Sequence, residues 1–111
     1  MLKVWTSLSY LKSDRIYQSN LTKKFCFRKC DLSSIESIKE FVNQFKSQET
    51  KCDVLVNNAA VMKCRKMVTK EGIESQLGVN HMGHILLTHL LKPSLEKADT
   101  NGRYNSLQKY I

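Results

Sequence analysis

From Lys24 onward, apolar and polar positions fall into periodic stretches. Phe25 and Phe27 alternate with Cys26 and Arg28, the period of two that predicts a strand. Asp31-Leu32-Ser33-Ser34 reads as a helix entry, with Ser33 and Glu36 spaced as a capping box. Ile35, Ile38, Phe41, Val42 and Phe45 then share one helical face, while Glu36, Lys39, Glu40, Asn43 and Lys46 share the other, which predicts a helix ending near Ser47. Gln48 to Cys52 form a polar connection. Asp53-Val54-Leu55-Val56 is a short apolar run of the kind found in a parallel strand buried on both faces, and Asn57-Asn58 ends it. Residues 24–57 thus read strand, helix, strand: a βαβ unit, expected to be right-handed.

A second, longer helix is predicted to begin near Thr69, after a polar, basic loop over 61–68. One stripe on it is Ile73, Leu77, Asn80, His84, Leu87 and Leu91, and another is Val79, Met82, Leu86 and Leu90. A helix apolar on two sides is expected to be buried on two sides. Pro93 is expected to kink or end it. Gly78 and Gly83 each cost about 1 kcal/mol relative to alanine in a helix interior, and Asn80 stands between them on an apolar stripe. Three poor helix formers so close together point to close packing or a local distortion.

Composition adds limits rather than detail. With 111 residues the chain holds one domain at most. Its formal net charge of +8 is spread from Lys3 to Lys109, and the runs Lys23-Lys24 and Arg28-Lys29 are short and carry no nucleic-acid motif. The charge therefore reads as a solvated surface, and no nucleic-acid partner is expected. Cys26, Cys30, Cys52 and Cys64 form no CxxC pair, so they read as free thiols of a reducing, intracellular compartment. No apolar run reaches the roughly 18 residues of a membrane helix, and Thr6, Ser7 and Ser9 make the first residues a poor signal peptide. A cytoplasmic location is expected, or a membrane-associated one if an anchor preceded these residues. Residues 1–23 carry little pattern.

Three features fall where an α/β sheet binds ligands, beyond the carboxyl ends of its strands. Asp31 follows the first expected strand and reads either as an acceptor for an amine or ribose hydroxyl or as a turn residue before the helix cap. Asn57-Asn58-Ala59-Ala60 follows the second and reads either as a surface that a ligand approaches closely or as an ordinary strand-ending turn. Asn80 needs a hydrogen-bond partner wherever it is buried, and backbone, water and substrate are all open as that partner. His81, His84 and His89 have no carboxylate or cysteine at matching spacing on the helix, so no metal is expected; packed or hydrogen-bonded histidines are the reading here.

Asp31-Leu32-Ser33-Ser34-Ile35-Glu36-Ser37-Ile38, Asp53-Val54-Leu55-Val56-Asn57-Asn58-Ala59 and Gly78-Val79-Asn80-His81-Met82-Gly83-His84 with Leu86-Leu87-Thr88 closely resemble consecutive motifs of the short-chain dehydrogenase/reductases. Val61-Met62, Cys64, Glu71-Gly72 and Asn80 to His84 are similar to the retinol dehydrogenase branch. The resemblance implies part of a Rossmann-type doubly wound parallel sheet, a βαβα piece over 24–98, with 99–111 a divergent end. It implies NAD or NADP as cofactor and an alcohol or carbonyl substrate, lipophilic and in some relatives a retinoid. It implies that Asp31 contacts the adenine, with Leu32 beside it, and that Asn57 stabilises the sheet. The Asn58-Ala59-Ala60 backbone would line the cofactor, Ala60 standing where the family usually has glycine. Asn80 would be the active-site asparagine, on a kinked helix whose backbone holds a water of the proton relay.

Departures from the family pattern are equally plain. The first glycine is Gly72, so the glycine-rich pyrophosphate loop and its strand are expected to be absent. Four residues after Tyr10, Tyr17 and Tyr104 stand Asp14, Leu21 and Gln108, so no tyrosine has the family's lysine partner. Tyr104-Asn105-Ser106-Leu107-Gln108 does not resemble the family's next strand or its catalytic serine. The expectation is an inactive chain, marginally stable by itself, that self-associates or docks on a full-length relative through residues 73–91.

Overall fold

The structure is a computed structural model that describes residues 28–62 and 67–98, together with the backbone of 3–6 and 103–106. In chain order the elements are β1 (Lys3–Thr6), α1 (Ile35–Gln48), β2 (Val54–Asn57), α2 (Ser75–Leu77), a π-helical segment (Gly78–Gly83), α3 (His84–Glu96) and β3 (Arg103–Ser106). The strands form one parallel sheet in the order β1-β2-β3, with Lys3 opposite Val54 and Val54 opposite Arg103.

Two of these strands correct the sequence reading. Neither residues 1–23 nor the segment after Gly102 was expected to supply a strand, yet both ends flank β2. A four-residue strand is too short to display a period, and its ladder is made by backbone groups. Val4, Trp5 and Thr6 do have the β-branched and aromatic character that strands favour. The strand expected over 24–28 falls on residues outside those described, apart from Arg28, which is not in a strand.

Helix α1 starts one residue later than a Ser33 cap would place it. Asp31 Oδ1 accepts from both the Ser33 amide at 2.9 Å and the Ser33 hydroxyl at 2.7 Å. That commitment leaves Ser34, in extended backbone, as the N-cap, its hydroxyl accepting from Ser37 N–H. Ile38, Phe41, Val42 and Phe45 form the buried face, as their spacing predicts, while Ile35 stays exposed.

Along β2, Leu55 and Asn57 are buried, whereas Val54 and Val56 are half-buried. Successive side chains of a strand point to opposite faces. The described helices therefore cover only the Leu55 face, which corrects the expectation of a strand buried on both sides. Leu55 joins Ile38, Phe41, Phe45, Leu87 and Leu91 in a single core. Each such side chain contributes about 1.5–3 kcal/mol by leaving water.

The second helix begins at Ser75 rather than near Thr69. Residues 67–75 instead fold into a tight hairpin-like loop. Val68 and Glu74 form an antiparallel bridge, and Thr69 N–H bonds to Ile73 O at 2.7 Å. Gly72, at φ 79°, supplies the left-handed backbone that such a three-residue loop requires. The helix is buried on one side only. Val79, Asn80, His84, Leu87 and Leu91 face inward, Leu86 and Leu90 pack at the margin, and Leu77, Met82 and Ile85 are exposed. The helix also runs past Pro93 to Glu96. Burial of Ser94 and Leu95, and the bond from Cys52 N–H to Ser94 O at 2.8 Å, hold the last turn in spite of the missing proline N–H.

No described helix is long and apolar enough to cross a membrane.

Candidate functional site

The site expected from the sequence lies at the carboxyl end of β2. The strand finishes at Asn57, and the turn Asn58-Ala59-Ala60 follows with Asn58 and Ala60 exposed and Ala59 buried. Small side chains leave the backbone of this turn open to close approach.

Two side chains from the facing helix fix that turn. Asn80 lies inside the π-helical segment and is 5% exposed. Its Oδ1 accepts from Val61 N–H at 2.8 Å, and its Nδ2 donates to Val61 O at 2.9 Å. Of the partners left open by the sequence, the backbone takes both ends of this amide. One turn further on, His84 Nε2 lies 2.7 Å from Ala59 O. A carbonyl oxygen only accepts, so this nitrogen carries a proton. Burial holds the His84 imidazole below its ordinary pKa, opposed by the bond to Ala59, and the ring is neutral near pH 7.

Asn57 is fixed from the same helix. Thr88 Oγ1 gives its proton to His84 O at 2.8 Å, so it can only accept from Asn57 Nδ2, at 2.9 Å. That bond ties β2 to α3, in keeping with a sheet-stabilising Asn57.

The glycines flanking Asn80 serve both purposes that the sequence allowed. Gly78 to Gly83 adopt the wide π turn that often marks functional sites. Each glycine also sits where a side chain would collide. A Cβ on Gly78 would strike Thr69 Cγ2, and one on Gly83 would lie 2.5 Å from Leu32 O.

Leu32 is thus part of the core, 3% exposed, with its backbone against the π segment. Asp31, half-buried, serves as the turn residue before the cap, and its amide donates to Ser37 Oγ at 2.9 Å. Leu32 packs against Gly83, and Asn80 and His84 of the same helical stretch hold Val61 and Ala59, so this stretch touches both the Asp31-Leu32 loop and the turn at 58–60.

Two contacts had no local signal in the sequence. Glu71 reaches from its loop to the first amide of α1, with Oε1 2.8 Å from Ile35 N. Thr88 is the link between Asn57 and the His84 carbonyl. Neither pairing can be read from spacing, because the partners are brought together by tertiary packing. Among the described residues no three His, Cys, Asp or Glu side chains are grouped to hold a metal ion.

Comparison with known proteins shows a family. Residues 12–103 match the family described as short chain dehydrogenase. The chain is 48% identical over 69 residues to retinol dehydrogenase 13 from Homo sapiens, covering 62% of this chain and 21% of that protein. It is 40% identical over 88 residues to polyprenol dehydrogenase from Homo sapiens, covering 79% of this chain and 27% of that one. Among solved structures it resembles an uncharacterized protein from Mycobacterium paratuberculosis, with a TM-score of 0.54 and 40% identity, covering 60% of this chain and 24% of the other. The chain thus spans about a fifth to a quarter of the relatives it matches.

Proposed function

The chain belongs to the short-chain dehydrogenase family, in its retinol dehydrogenase-like branch, and on that premise we propose that it is the central part of a nicotinamide-dependent oxidoreductase domain. The observation that carries this reading is the double hydrogen bond of Asn80 to Val61 from a π-helical turn, directly behind the ligand-facing turn 58–60. The bound nicotinamide would supply or accept hydride against an alcohol or carbonyl group. Lipophilic substrates are the class proposed, since retinol and polyprenol name the relatives' reactions.

The residues present suit one part of such a cofactor. Asn58 and Ala60 offer an open backbone edge beyond the carboxyl end of the central strand. Asp31 stands at the neighbouring loop, its carboxylate already engaged with Ser33. After β1 the sequence runs Ser7-Leu8-Ser9 with no glycine before Gly72, so it offers no glycine-rich turn for the pyrophosphate. No tyrosine–lysine pair four apart is present within these 111 residues to move the substrate proton.

We therefore expect weak cofactor binding and no turnover from the 111-residue polypeptide. NADH and NADPH titrated into the labelled chain should perturb the amides of Asn58, Ala59 and Ala60 at millimolar concentration. Binding at micromolar Kd, about −8 kcal/mol, would reveal a phosphate site of another kind, and unperturbed amides at 58–60 would remove the reading. Retinal with either reduced cofactor should give no enzyme-dependent oxidation.

A second reading has its own observation. Leu77, Met82 and Ile85 are 47%, 45% and 50% exposed on one helical stretch. In that reading the chain is a non-catalytic partner that associates through residues 73–91 with a full-length relative.

A further inference from the structure

The histidine that opens α3 is an odd occupant of its position. His84 is 4% exposed, yet only one of its two ring nitrogens is engaged. With the proton on Nε2, the other nitrogen, Nδ1, is a bare acceptor, buried and without a hydrogen-bond partner among the described residues. Asn57 Oδ1 is in the same condition. Its amide cannot turn round to improve matters, because the Thr88 hydroxyl has already given its proton to His84 O. Buried polar atoms are almost always paired. A leucine at position 84 would fill the core with no orphaned nitrogen at all. The group that justifies a histidine here is therefore the Nε2–H, and its acceptor is the Ala59 carbonyl.

That carbonyl belongs to the one buried residue of the turn, between exposed Asn58 and exposed Ala60. Asn80 pins Val61 two residues on. His84 and Asn80 stand four apart on a helical stretch, and so near one another on its face. Each holds a different peptide of the same short segment. Without His84, the turn would be tied at Asn57 and Val61 but loose at its middle, where the backbone faces outward.

We propose that His84 is a positioning residue, which through Nε2–H holds the Ala59 carbonyl inward and so presents the Asn58 and Ala60 backbone to ligand. The proposal rests on the reading that this turn lines the cofactor, but the ordering of the turn is measurable without any cofactor. The predicted species is the neutral Nε2–H tautomer, which nitrogen chemical shifts of the unmodified, labelled chain report directly. Hydrogen exchange read by mass spectrometry then compares His84→Leu, which removes the donor, with His84→Gln, whose amide nitrogen reaches to a similar point. In His84→Leu, exchange over residues 58–62 should quicken about tenfold, the size of one hydrogen bond, while α1 stays protected. His84→Gln should restore wild-type protection.

An Nδ1–H tautomer in the unmodified chain would overturn the proposal, even if the leucine variant failed to fold. So would a glutamine variant as loose as the leucine one, or loosening spread evenly over α1 and the turn. NADPH added to the three proteins separates this inference from the functional reading. Weaker amide perturbation in His84→Leu alone supports both. Absent perturbation in all three, with the exchange pattern intact, overturns only the cofactor reading.

Discussion

Gly83 lies against the backbone of Leu32 so closely that an added Cβ would stand 2.5 Å from the Leu32 carbonyl oxygen and 3.0 Å from its Cβ. The neighbour is main chain in a buried residue and cannot swing aside as a surface side chain would. In Gly83→Ala, overpacking against main chain should cost about 3 kcal/mol, the upper end for a buried clash, and alanine's helix propensity should offset roughly 1 kcal/mol of it, for a net loss of about 2 kcal/mol. Denaturant unfolding checks this. An unchanged or higher midpoint would mean that the 31–32 loop yields easily.

The bond between Glu71 and Ile35 N–H should make the start of α1 sensitive to acid. That amide is the main cause holding the Glu71 carboxyl below its ordinary range, and the side chain is fully exposed, so the effect is modest. A folded-state pKa that is depressed contributes stability above the unfolded value, and the contribution is lost as pH falls through the folded one. Glu71→Ala should melt below the unmodified chain at pH 7, and the gap should close as pH drops beneath the ordinary carboxylate range. A gap that persists unchanged in acid would rule out the charge as its source.

Cys30 and Cys52 should be slow to alkylate in the folded chain. Burial pushes both thiols up to about 11, Asp31 adding to it at Cys30 and Asp53 at Cys52, where the Val54 N–H opposes it. Thiolate is the reactive form, and at pH 8 only about one thiol in a thousand would be ionised. Peptide mapping after brief iodoacetamide treatment should find both unmodified, and both labelled once denaturant is added. Rapid native labelling of Cys52, which is 0% exposed, would show that the core opens readily.

How much of this was legible in the sequence depended on whether an element carries its own pattern. The face of α1 could be read because Ile38, Phe41, Val42 and Phe45 repeat with the helical period. The anomaly of Gly78, Asn80 and Gly83 could be read as a distortion because three poor helix formers oppose local propensity. The start of the second helix could not. Thr69 to Leu77 holds apolar residues at helical spacing, and only the positive φ of Gly72 and the Val68–Glu74 bridge divert it into a loop. The strand at 103–106 was missed because its ladder consists of backbone bonds to β2, and no side-chain period announces them. At the candidate site, spacing and resemblance singled out Asn80 and the 58–60 turn as expectations, whereas the bonds that join Asn80 to Val61 and His84 to Ala59 emerged only from packing.

Association should follow from the uncovered side of the second helix. Leu77, Met82 and Ile85 expose apolar surface that the described elements do not cover. Light scattering after size-exclusion chromatography should show the unmodified chain in assemblies larger than a monomer, and Met82→Lys with Ile85→Glu should shift it towards monomer. A monodisperse monomer before any substitution would contradict this expectation.

The order of strands carries a consequence for how the chain reaches its fold. β2 is the middle strand, and both neighbours come from the far ends: Lys3 pairs with Val54, and Val54 with Arg103. Each pairing therefore closes a loop of nearly half the chain, and closing loops of that size must precede any gain from the ladder. Such topologies have high contact order and fold slowly. As residues emerge in order, α1 and β2 have only β1 to pair with, and β2 keeps one bare edge until Arg103–Ser106 follow. The sheet is in effect a lock whose middle pin is cut before one of its neighbours, and a chain stopped before Arg103 would leave its central strand open to strangers.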